Sequence, residues 1–530
     1  MRFALFSLVF FIFVFPVHAF QSILVLPFNN ESQKNELYWL GEGFAESLSE
    51  ELLIQDAYLI QRPERLAAYD VLHLPYSGDL SRATMLKIGE SLASDYMIFG
   101  SYSLKDNQLT VHAKVVKISS ARMGNQITAF GALNNLYQIH AALIGELNKY
   151  FVSERMKPAS QTITGTQTVP LHAYELYIKG LLDSHDNVKI RFFQRALEVL
   201  PTYPQAAYRL AQALNRMQRY QESNYALKKI LTATALQPRI DFLTGLNSFE
   251  LHDYDTAYRQ WYDLSKTQPT SEVHNNIGVT LLKKSDFQNS GWYLNQAVTL
   301  DPTNADYHFD LAASYTTRSF DPQAIQQYRE SLQYHPNDYQ SLYFAAKLLE
   351  KQGDAVSKSM MQNFQDVLPA DLKGKFPEQY SSAIQLLRVA LSFLSPEEKQ
   401  YAIIARNKDL QQRNQYVKTY QINARRYLDE AHPDQAITEI RKGMTFAPFD
   451  WYLHHLWGLA LSRQGNGADA VAQLHYSLWC ADNADSHLLL AEIYSESQLF
   501  ADAKLQIQKC LALDPKNKRA LDLWSKIGNR

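Results

Sequence analysis

The first 150 residues change their hydrophobic period several times, which is typical of strands that alternate with helices. Short apolar runs and apolar–polar alternation predict strands at 23–28, 57–61, 95–100 and 109–118, with a hairpin partner at 123–130. Apolar residues at helical spacing predict helices over 37–53, 83–92 and 136–151. These elements predict a small α/β domain with a mixed sheet over residues 20–152.

After residue 170 the apolar positions keep a helical rhythm that repeats about every 34 residues. Small residues recur where two helices of a unit would cross, and prolines close the units at Pro201, Pro238, Pro269, Pro302, Pro336, Pro448 and Pro515. This pattern resembles tetratricopeptide repeats, which are helix pairs that stack into a superhelix. It is clearest at 271–304, 305–338 and 484–517, has departures at 204–237, 238–270, 417–450 and 451–483, and is loose at 170–203.

Composition and the repeat frame together set the predicted domain boundaries. We expect a linker rich in Ser, Thr, Gln and Gly at 153–170, a first repeat array at 171–353, a second at 416–517 and a capping helix at 518–530. Between 354 and 415 the frame is lost, and we expect irregular helices or strongly diverged repeats, with an amphipathic segment at 383–393. The predicted fold class is therefore an α+β N-terminal domain followed by an all-α solenoid.

The chain begins with the pattern of a secretory signal peptide. Arg2 is followed by the apolar run 3–15 and by Pro16, Val17, His18 and Ala19, which predicts a signal peptide over 1–19 with cleavage after Ala19. The alternative is an uncleaved anchor, but the apolar run is shorter than the roughly twenty residues that a membrane span needs. We therefore expect an exported protein, periplasmic or secreted, with no integral membrane segment after cleavage.

The α/β domain resembles the TolB amino-terminal-like domain, which bacteria often place before tetratricopeptide repeats in exported or membrane-bound proteins. The resemblance covers about 130 residues and is carried by the apolar run 23–28 with Asn29 and Asn30, by the glycine-containing helix 39–53, by the segment 95–102 and by the strand 108–117. It implies the fold of the domain, and it brings no catalytic residues.

Charge and cysteine content exclude several classes of protein. The chain has 52 Lys and Arg residues against 54 Asp and Glu residues, and this balance argues against a nucleic-acid partner. Its two cysteines, Cys480 and Cys510, are too few for a disulfide scaffold or a cysteine-rich metal site. We expect both to be free thiols, because they occupy repeat positions that are out of step by three residues.

No motif in the sequence has the spacing of a catalytic, cofactor or metal site. The chain has no phosphate-binding glycine loop, no His-Glu-x-x-His motif and no Gly-x-Ser-x-Gly elbow. The adjacent pair His454 and His455 would point about 100° apart on a helix. The polar run 301–306 is better explained as the closing turn of a repeat than as a cation loop. We therefore predict no catalytic residues, no cofactor and no metal.

The repeat resemblance implies that first-helix residues line a concave groove that binds protein partners. The groove residues predicted on this frame are Tyr208, Gln212, Phe242, Phe249, Glu272, Asn275, Asn276, Asp306, Phe309 and Asp310 in the first array and Lys418, Gln421, Arg425, Tyr452, His455, Asp485 and Glu492 in the second. Acidic and aromatic side chains share the middle of the first groove, which favours a basic or neutral extended peptide. The alternative, a solvated inner face without a ligand, stays open.

A well-known groove of this repeat family binds a partner's terminal carboxylate through Lys, Asn and Arg side chains. Only Asn276 fits that pattern here, and Asp306 and Asp310 stand where the basic residues would be, so carboxylate binding is not predicted. We expect a non-enzymatic scaffold for protein or peptide partners. The alternatives are a sensor whose α/β domain binds a small ligand or cell-wall component, and an enzyme without recognisable motif spacing.

Overall fold

The computed structural model describes residues 21–527, apart from residues 33, 53, 56, 76–79, 158–168, 231–235 and 377–381. The predicted signal peptide and most of the predicted linker lie outside the described residues. The chain divides into two compact units. The first holds the described residues up to Leu236 together with Glu397–Ala405, and the second holds Gln237–Pro396 together with the chain from Arg406 onward.

The first unit contains a mixed β-sheet, as the sequence predicts. Its described strands are β1 (Gln21–Val25), β2 (Asn29–Asn30), β3 (Ala57–Ile60), β4 (Tyr96–Lys105), β5 (Gln108–Lys117), β6 (Arg122–Met123) and β7 (Ile127–Ala132). β1 pairs in parallel with β3 and β4, and β5 pairs antiparallel with β4, β6 and β7. The β4–β5 turn places Asp106 and Asn107 at φ of 48° and 62°, the tight hairpin conformation that matches strand twist.

Helices cover the α/β domain, and their described members are α1 (Trp39–Glu51), α2 (Arg62–Val71), α3 (Arg82–Ser91) and α4 (Leu136–Ser153). The hydrophobic pattern does not predict α2, because few of its side chains are buried. A polar signal marks its start instead, since Gln61 and Glu64 form a capping box. Arg62 and Arg65 on α2 then donate to the buried carboxylate of Glu42 on α1, which ties the two helices together.

The first unit also includes the first helix pairs of the repeat region. These helices are α5 (Leu171–Leu182), α6 (Asp186–Val199), α7 (Pro204–Arg216) and α8 (Tyr220–Lys228). The Tyr174 hydroxyl on α5 donates to the Gly43 carbonyl at 2.6 Å, and Arg209 on α7 donates to Glu46 at 3.0 Å. Gly43 and Glu46 belong to α1, so the α/β domain and these helix pairs form one packed unit.

The second unit is helical in its described residues. Its helices are α9 (Gln237–Glu250), α10 (Tyr254–Ser265), α11 (Ser271–Lys283), α12 (Phe287–Leu300), α13 (Ala305–Thr317), α14 (Asp321–Tyr334), α15 (Tyr339–Lys351), α16 (Val356–Val367), α17 (Pro396–Asp429), α18 (Pro433–Phe446), α19 (Trp451–Arg463), α20 (Gly467–Cys480), α21 (Ala484–Glu496), α22 (Phe500–Leu513) and α23 (Lys518–Ile527). Residues 397–405 of α17 belong to the first unit, where Tyr401 packs on the Tyr58 ring and donates to the Leu92 carbonyl.

Helix pairs cross closely because one of the two helices has a glycine at the crossing. A Cβ atom on Gly278 of α11 would lie 2.6 Å from Leu294 Cγ of α12, and one on Gly245 of α9 would lie 2.6 Å from Trp261 Nε1 of α10. Leu294 and Trp261 are fully buried. The small residues that reveal the repeat in the sequence are therefore the ones that let the helices approach.

The region 354–415 is more ordered than the lost repeat frame suggests. Val356–Val367 forms α16, which completes a pair with α15, and Pro396–Asp429 is one continuous helix. Between them lie short 3-10 turns at Ala370–Leu372 and Ala383–Leu386, followed over 387–395 by chain that forms neither helix nor strand and bends at Ser392. The amphipathic segment at 383–393 is thus not an α-helix.

The two arrays of the second unit pack against each other. Asn363 on α16 donates to the Tyr476 hydroxyl at 2.8 Å, and Arg329 on α14 donates to the Trp479 carbonyl. Tyr476 and Trp479 lie on α20 and are buried in the same apolar cluster as residues of α13 to α16. The arrays therefore share a core.

Cys480 and Cys510 are free thiols, and burial raises the pKa of the Cys510 thiol to about 11. Burial also raises the pKa of Cys480, so neither side chain has the thiolate character of a reactive cysteine. Among the described residues, no helix is both long and apolar enough to cross a membrane.

The crossing at Gly278 gives a direct test of the helix-pair packing. We expect Gly278→Ala to lower the free energy of unfolding by about 1–3 kcal/mol, because the added methyl group overlaps Leu294. Gly145→Ala on α4 is the matched control, since its Cβ would meet no atom within 4 Å and alanine favours the helix. Urea unfolding followed by circular dichroism compares the two, and equal stability of both variants would contradict the close crossing.

Candidate functional site

Predicted groove residues on α9, α11 and α13 contact a segment of the same chain. The first helices of four consecutive pairs, α9, α11, α13 and α15, line what we call the α9–α15 groove. Residues 383–393, here called the inner segment, lie along it. The inner segment passes from Ile384, whose carbonyl accepts from Lys283 Nζ at 2.8 Å, to Phe393, whose ring lies 5.8 Å from that of Phe242.

Asparagine and aspartate side chains pair with the backbone of the inner segment. Asn276 donates to the Ala390 carbonyl at 3.0 Å and accepts from the Ala390 N–H at 2.7 Å. Asn275, the preceding residue of α11, donates to the Arg388 carbonyl at 2.8 Å. Asp310 on α13 accepts from the Arg388 N–H at 2.9 Å. Both asparagines and Asp310 are fully buried. Alternate residues of an extended chain are therefore held by both backbone groups, as in a β-ladder.

Arg388 occupies an acidic and aromatic pocket. Its guanidinium donates to Asp306 at 2.8 Å, to Asp338 at 2.7 Å and to Gln340 at 2.8 Å. The guanidinium carbon also lies 3.9 Å from the centre of the Phe309 ring, which is a cation–π contact. The planar guanidinium suits both the carboxylates and the ring, so lysine would not replace it equally well.

Electrostatics make this pocket dependent on its cation. Burial raises the pKa of Asp310 well above its ordinary value, and the N–H and guanidinium of Arg388 oppose that shift. Burial disfavours the charge of Arg388 itself, but Asp338 and Asp306 outweigh the burial and raise its pKa. Three carboxyl groups thus converge on one guanidinium. Without a cation, the buried carboxyl groups of Asp310 and Asp338 would be left close together, beside the exposed Asp306.

Apolar side chains of the inner segment fill the spaces between the polar contacts. Leu387 and Val389 pack against the buried cluster that includes Val279 and Leu311, and Phe249 packs there as well. Phe393 is buried against Phe242, whereas Leu391 is 74% exposed. Leu387 and Val389 flank Arg388, and this two-residue alternation is the period of an extended chain, not of a helix.

Several residues of this site are not predicted from the sequence, among them Lys283, Asp338, Gln340 and Arg388. The repeat frame gives no reason to assign a segment of lost periodicity to the groove of an earlier repeat. The available signal was the alternation of Leu387, Arg388, Val389 and Ala390, which is a strand pattern outside any predicted sheet.

The remaining predicted groove residues of the first array have other surroundings. Glu272 on α11 is buried and accepts from the Ser271 hydroxyl at 3.2 Å. In the first unit, Tyr208 is buried on α7, and its hydroxyl lies 3.2 Å from Gln212 Nε2. That Tyr208 and Gln212 contact a partner stays a prediction.

The second array has a different inner surface. Gln421 donates to Asp450 at 2.8 Å, Arg425 pairs with Asp429 within its own helix, and Arg519 donates to Glu492 at 2.7 Å. Tyr452 stacks on His455, whose Nδ1 lies 3.0 Å from the Ser486 hydroxyl. Lys418 and Asp485 are exposed.

A histidine–glutamine pair that recurs within repeats of both arrays allows equivalent positions of the two arrays to be aligned. His308, His454 and His487 each place Nδ1 within 2.6–2.8 Å of a glutamine Oε1 nineteen residues later. The residues two positions after these histidines are Asp310, Leu456 and Leu489, and Asn276 is two positions after His274. The second array therefore has leucines where the α9–α15 groove has its backbone-binding side chains, so it does not hold an extended chain in the same way.

Metal-binding groups do not cluster in the part of the chain that the structure describes. His454 and His455, the densest histidine pair, have separate partners, since His454 lies against Gln473 and the Pro448 carbonyl. Burial lowers the pKa of His454, and it lowers the pKa of His455 to about 4.

We expect the backbone amides of Arg388 and Ala390 to exchange slowly, although they belong to no helix or strand, because side chains accept from both. Asn276→Leu removes the acceptor for Ala390 and should accelerate exchange of that amide at least tenfold, on the order of one hydrogen bond. Asn295→Leu, on the exposed side of α12, is the matched control. Hydrogen exchange with mass spectrometry measures both, and unchanged exchange in Asn276→Leu would contradict the contact.

Acid should destabilise the second array through His455. Its folded-state pKa is depressed, so the unfolded chain takes up a proton near pH 6.5 that the folded chain binds only near pH 4. Its contribution is therefore complete above pH 6.5 and is lost as the pH falls, by about 1 kcal/mol at pH 5.5. Urea unfolding at pH 7.5 and 5.5 should show a smaller acid effect in His455→Asn than in the wild type. An equal effect would exclude His455 as a source.

Comparison with protein families finds one model, described as tetratricopeptide repeat, which matches residues 271–304 and 484–517. Both matches are among the repeats that the sequence analysis found clearest. No curated protein matches the chain.

Several solved structures are similar in part. YrrB, described as a tetratricopeptide repeat protein with an unusual peptide-binding site, is 14% identical and covers 35% of this chain and 97% of its own, with a TM-score of 0.30. MamA from Desulfovibrio magneticus RS-1 is 17% identical over 33% of this chain and 97% of its own, with a TM-score of 0.29. The second such domain of human RPAP3, solved with an HSP70 peptide, is 15% identical over 22% of this chain and 99% of its own, with a TM-score of 0.21.

The family match and the helix pairs agree on the architecture. This chain contains tetratricopeptide repeats, which follow an N-terminal region with a mixed β-sheet.

Proposed function

We propose that this chain is a non-enzymatic scaffold that binds extended segments of partner proteins in the α9–α15 groove. One observation carries the proposal: Asn275, Asn276 and Asp310 pair with the backbone of an extended segment. Tetratricopeptide repeats generally mediate protein–protein interaction, which is the coarser function that the family match supports.

The contacts favour a peptide over a small molecule. The groove supplies both donors and acceptors to alternate residues, which is the requirement of a main chain. It also spans several helix pairs, from Phe242 on α9 to Asp338 and Gln340 at the start of α15. A ligand of this kind needs about ten residues in extended form, or roughly 30 Å of chain.

We further propose that the protein is exported. Support comes from the sequence of residues 1–19, which has the charged start, apolar run and small-residue exit of a signal peptide. The resemblance of residues 20–152 to the TolB amino-terminal-like domain agrees with that location. The partners would then be proteins of the periplasm or the exterior.

The ligand-sensing alternative gains little support from the α/β domain. Its conspicuous buried charges neutralise one another, because Glu42 accepts from Arg62 and Arg65 and Glu46 accepts from Arg209. Arg65 is also fixed by donating to the Val25 carbonyl at 2.9 Å. These groups hold α1 against α2 and α7 and are not directed at a ligand.

Peptide selection tests the proposal. Random twelve-residue peptides would be displayed against the immobilised full chain, both as wild type and as Arg388→Ala, and the selected peptides measured by fluorescence anisotropy. We expect some selected peptides to bind the chain. Asn276→Leu should weaken their binding about tenfold, which is the effect of losing one to two hydrogen bonds. Asn295→Leu is the matched control and should leave binding unchanged. If no selected peptide responds to Asn276→Leu on either chain, the groove is not the binding site.

A further inference from the structure

The α9–α15 groove is occupied by the inner segment, and the way it is held resembles a bound ligand. Among the described residues, the backbone of residues 387–394 forms no hydrogen bond with other backbone groups. The backbone groups of Arg388 and Ala390 are instead paired with side chains on α11 and α13. In a β-sheet an extended chain is paired with the backbone of neighbouring strands, whereas here the side chains of helices supply the pairing.

Most of these contacts do not depend on the sequence of the inner segment. Asn275, Asn276 and Asp310 contact N–H and C=O groups that nearly every residue possesses, and Lys283 donates to a carbonyl. Another extended chain could make the same contacts. The groove therefore selects the conformation of its occupant more than the identity of each side chain.

The pocket around Arg388 adds the chemical requirement. Asp306, Asp310 and Asp338 surround the guanidinium, and Phe309 lies against its face. An occupant without a cation at this position would leave the carboxylate of Asp338, which is only 5% exposed, without its ion pair, whereas Asp306 is 56% exposed. The neighbouring apolar positions are filled by Leu387 and Val389.

We propose that the inner segment is a built-in competitor for the α9–α15 groove. The partner that displaces it is a protein segment of matching chemistry: extended, with an arginine flanked by apolar residues and an aromatic residue about five positions later. This inference rests on the proposed function and specifies its ligand and its regulation. Because the competitor is tethered, its effective concentration is about millimolar, so a partner binds the intact chain more weakly than it binds an emptied groove.

The test uses a defined probe, a fluorescent peptide with the sequence of residues 382–395, added to the full-length chain. Arg388→Ala removes the guanidinium of the tethered segment and should let the peptide bind at least tenfold more tightly than to the wild type. Ala390→Pro is a second variant, which removes the N–H that Asn276 accepts without unpairing any charge. A peptide with alanine at the arginine position should bind either variant at least tenfold more weakly, and Asn276→Leu added to either variant should abolish the gain.

Hydrogen exchange at 387–395, measured beside peptide binding, reports whether the tethered segment has left the groove. Equal binding of the peptide to wild type and variants would overturn the competitor inference while leaving a peptide-binding function intact. Release of the segment without any peptide binding would show that it is a structural strap and would reject the groove as a peptide site. A segment that stays protected in both variants would show that Arg388 and Ala390 do not hold it, which also overturns the inference.

Discussion

The central constraint in the second unit is that a buried extended chain must have its backbone polar groups paired. Helices pair their own groups internally, so a strand lying among helices needs partners from side chains. Asn275, Asn276 and Asp310 provide them, and each lies on a first helix at a fully buried position. Replacing any of them by an apolar residue would leave a main-chain group unpaired where water is scarce.

The same constraint explains the polar character of a surface that could have been apolar. Asp310 accepts from the backbone of Arg388, and the guanidinium of that residue then neutralises Asp306 and Asp338 nearby. Recognition of the backbone and recognition of the charge are thus joined in one residue. The arrangement favours an extended, basic occupant, whether it comes from this chain or from a partner.

The two arrays show how one repeat serves two purposes. The His–Gln pair recurs in both arrays and joins the first helix of a repeat to its second, so it belongs to the repeat itself. The neighbouring inner positions differ: Asn276 and Asp310 in one array correspond to Leu456 and Leu489 in the other. The second array uses those positions for packing, and it shares a core with α16 through Tyr476 and Trp479.

The helix pairs could be predicted from the sequence because their determinants are local. Small residues such as Gly278 and Gly245 recur at a fixed period, and each allows its helix to pack closely against the next helix in the sequence. The mixed sheet was predictable for the same reason, through its apolar runs. The predictions at Asn275, Asn276, Asp306 and Asp310 rest on the repeat frame, which does not indicate what these residues contact. Arg388 lies 78 residues beyond Asp310, in a segment without helical period, and the tertiary structure alone brings them together because pairing of an extended backbone is non-local.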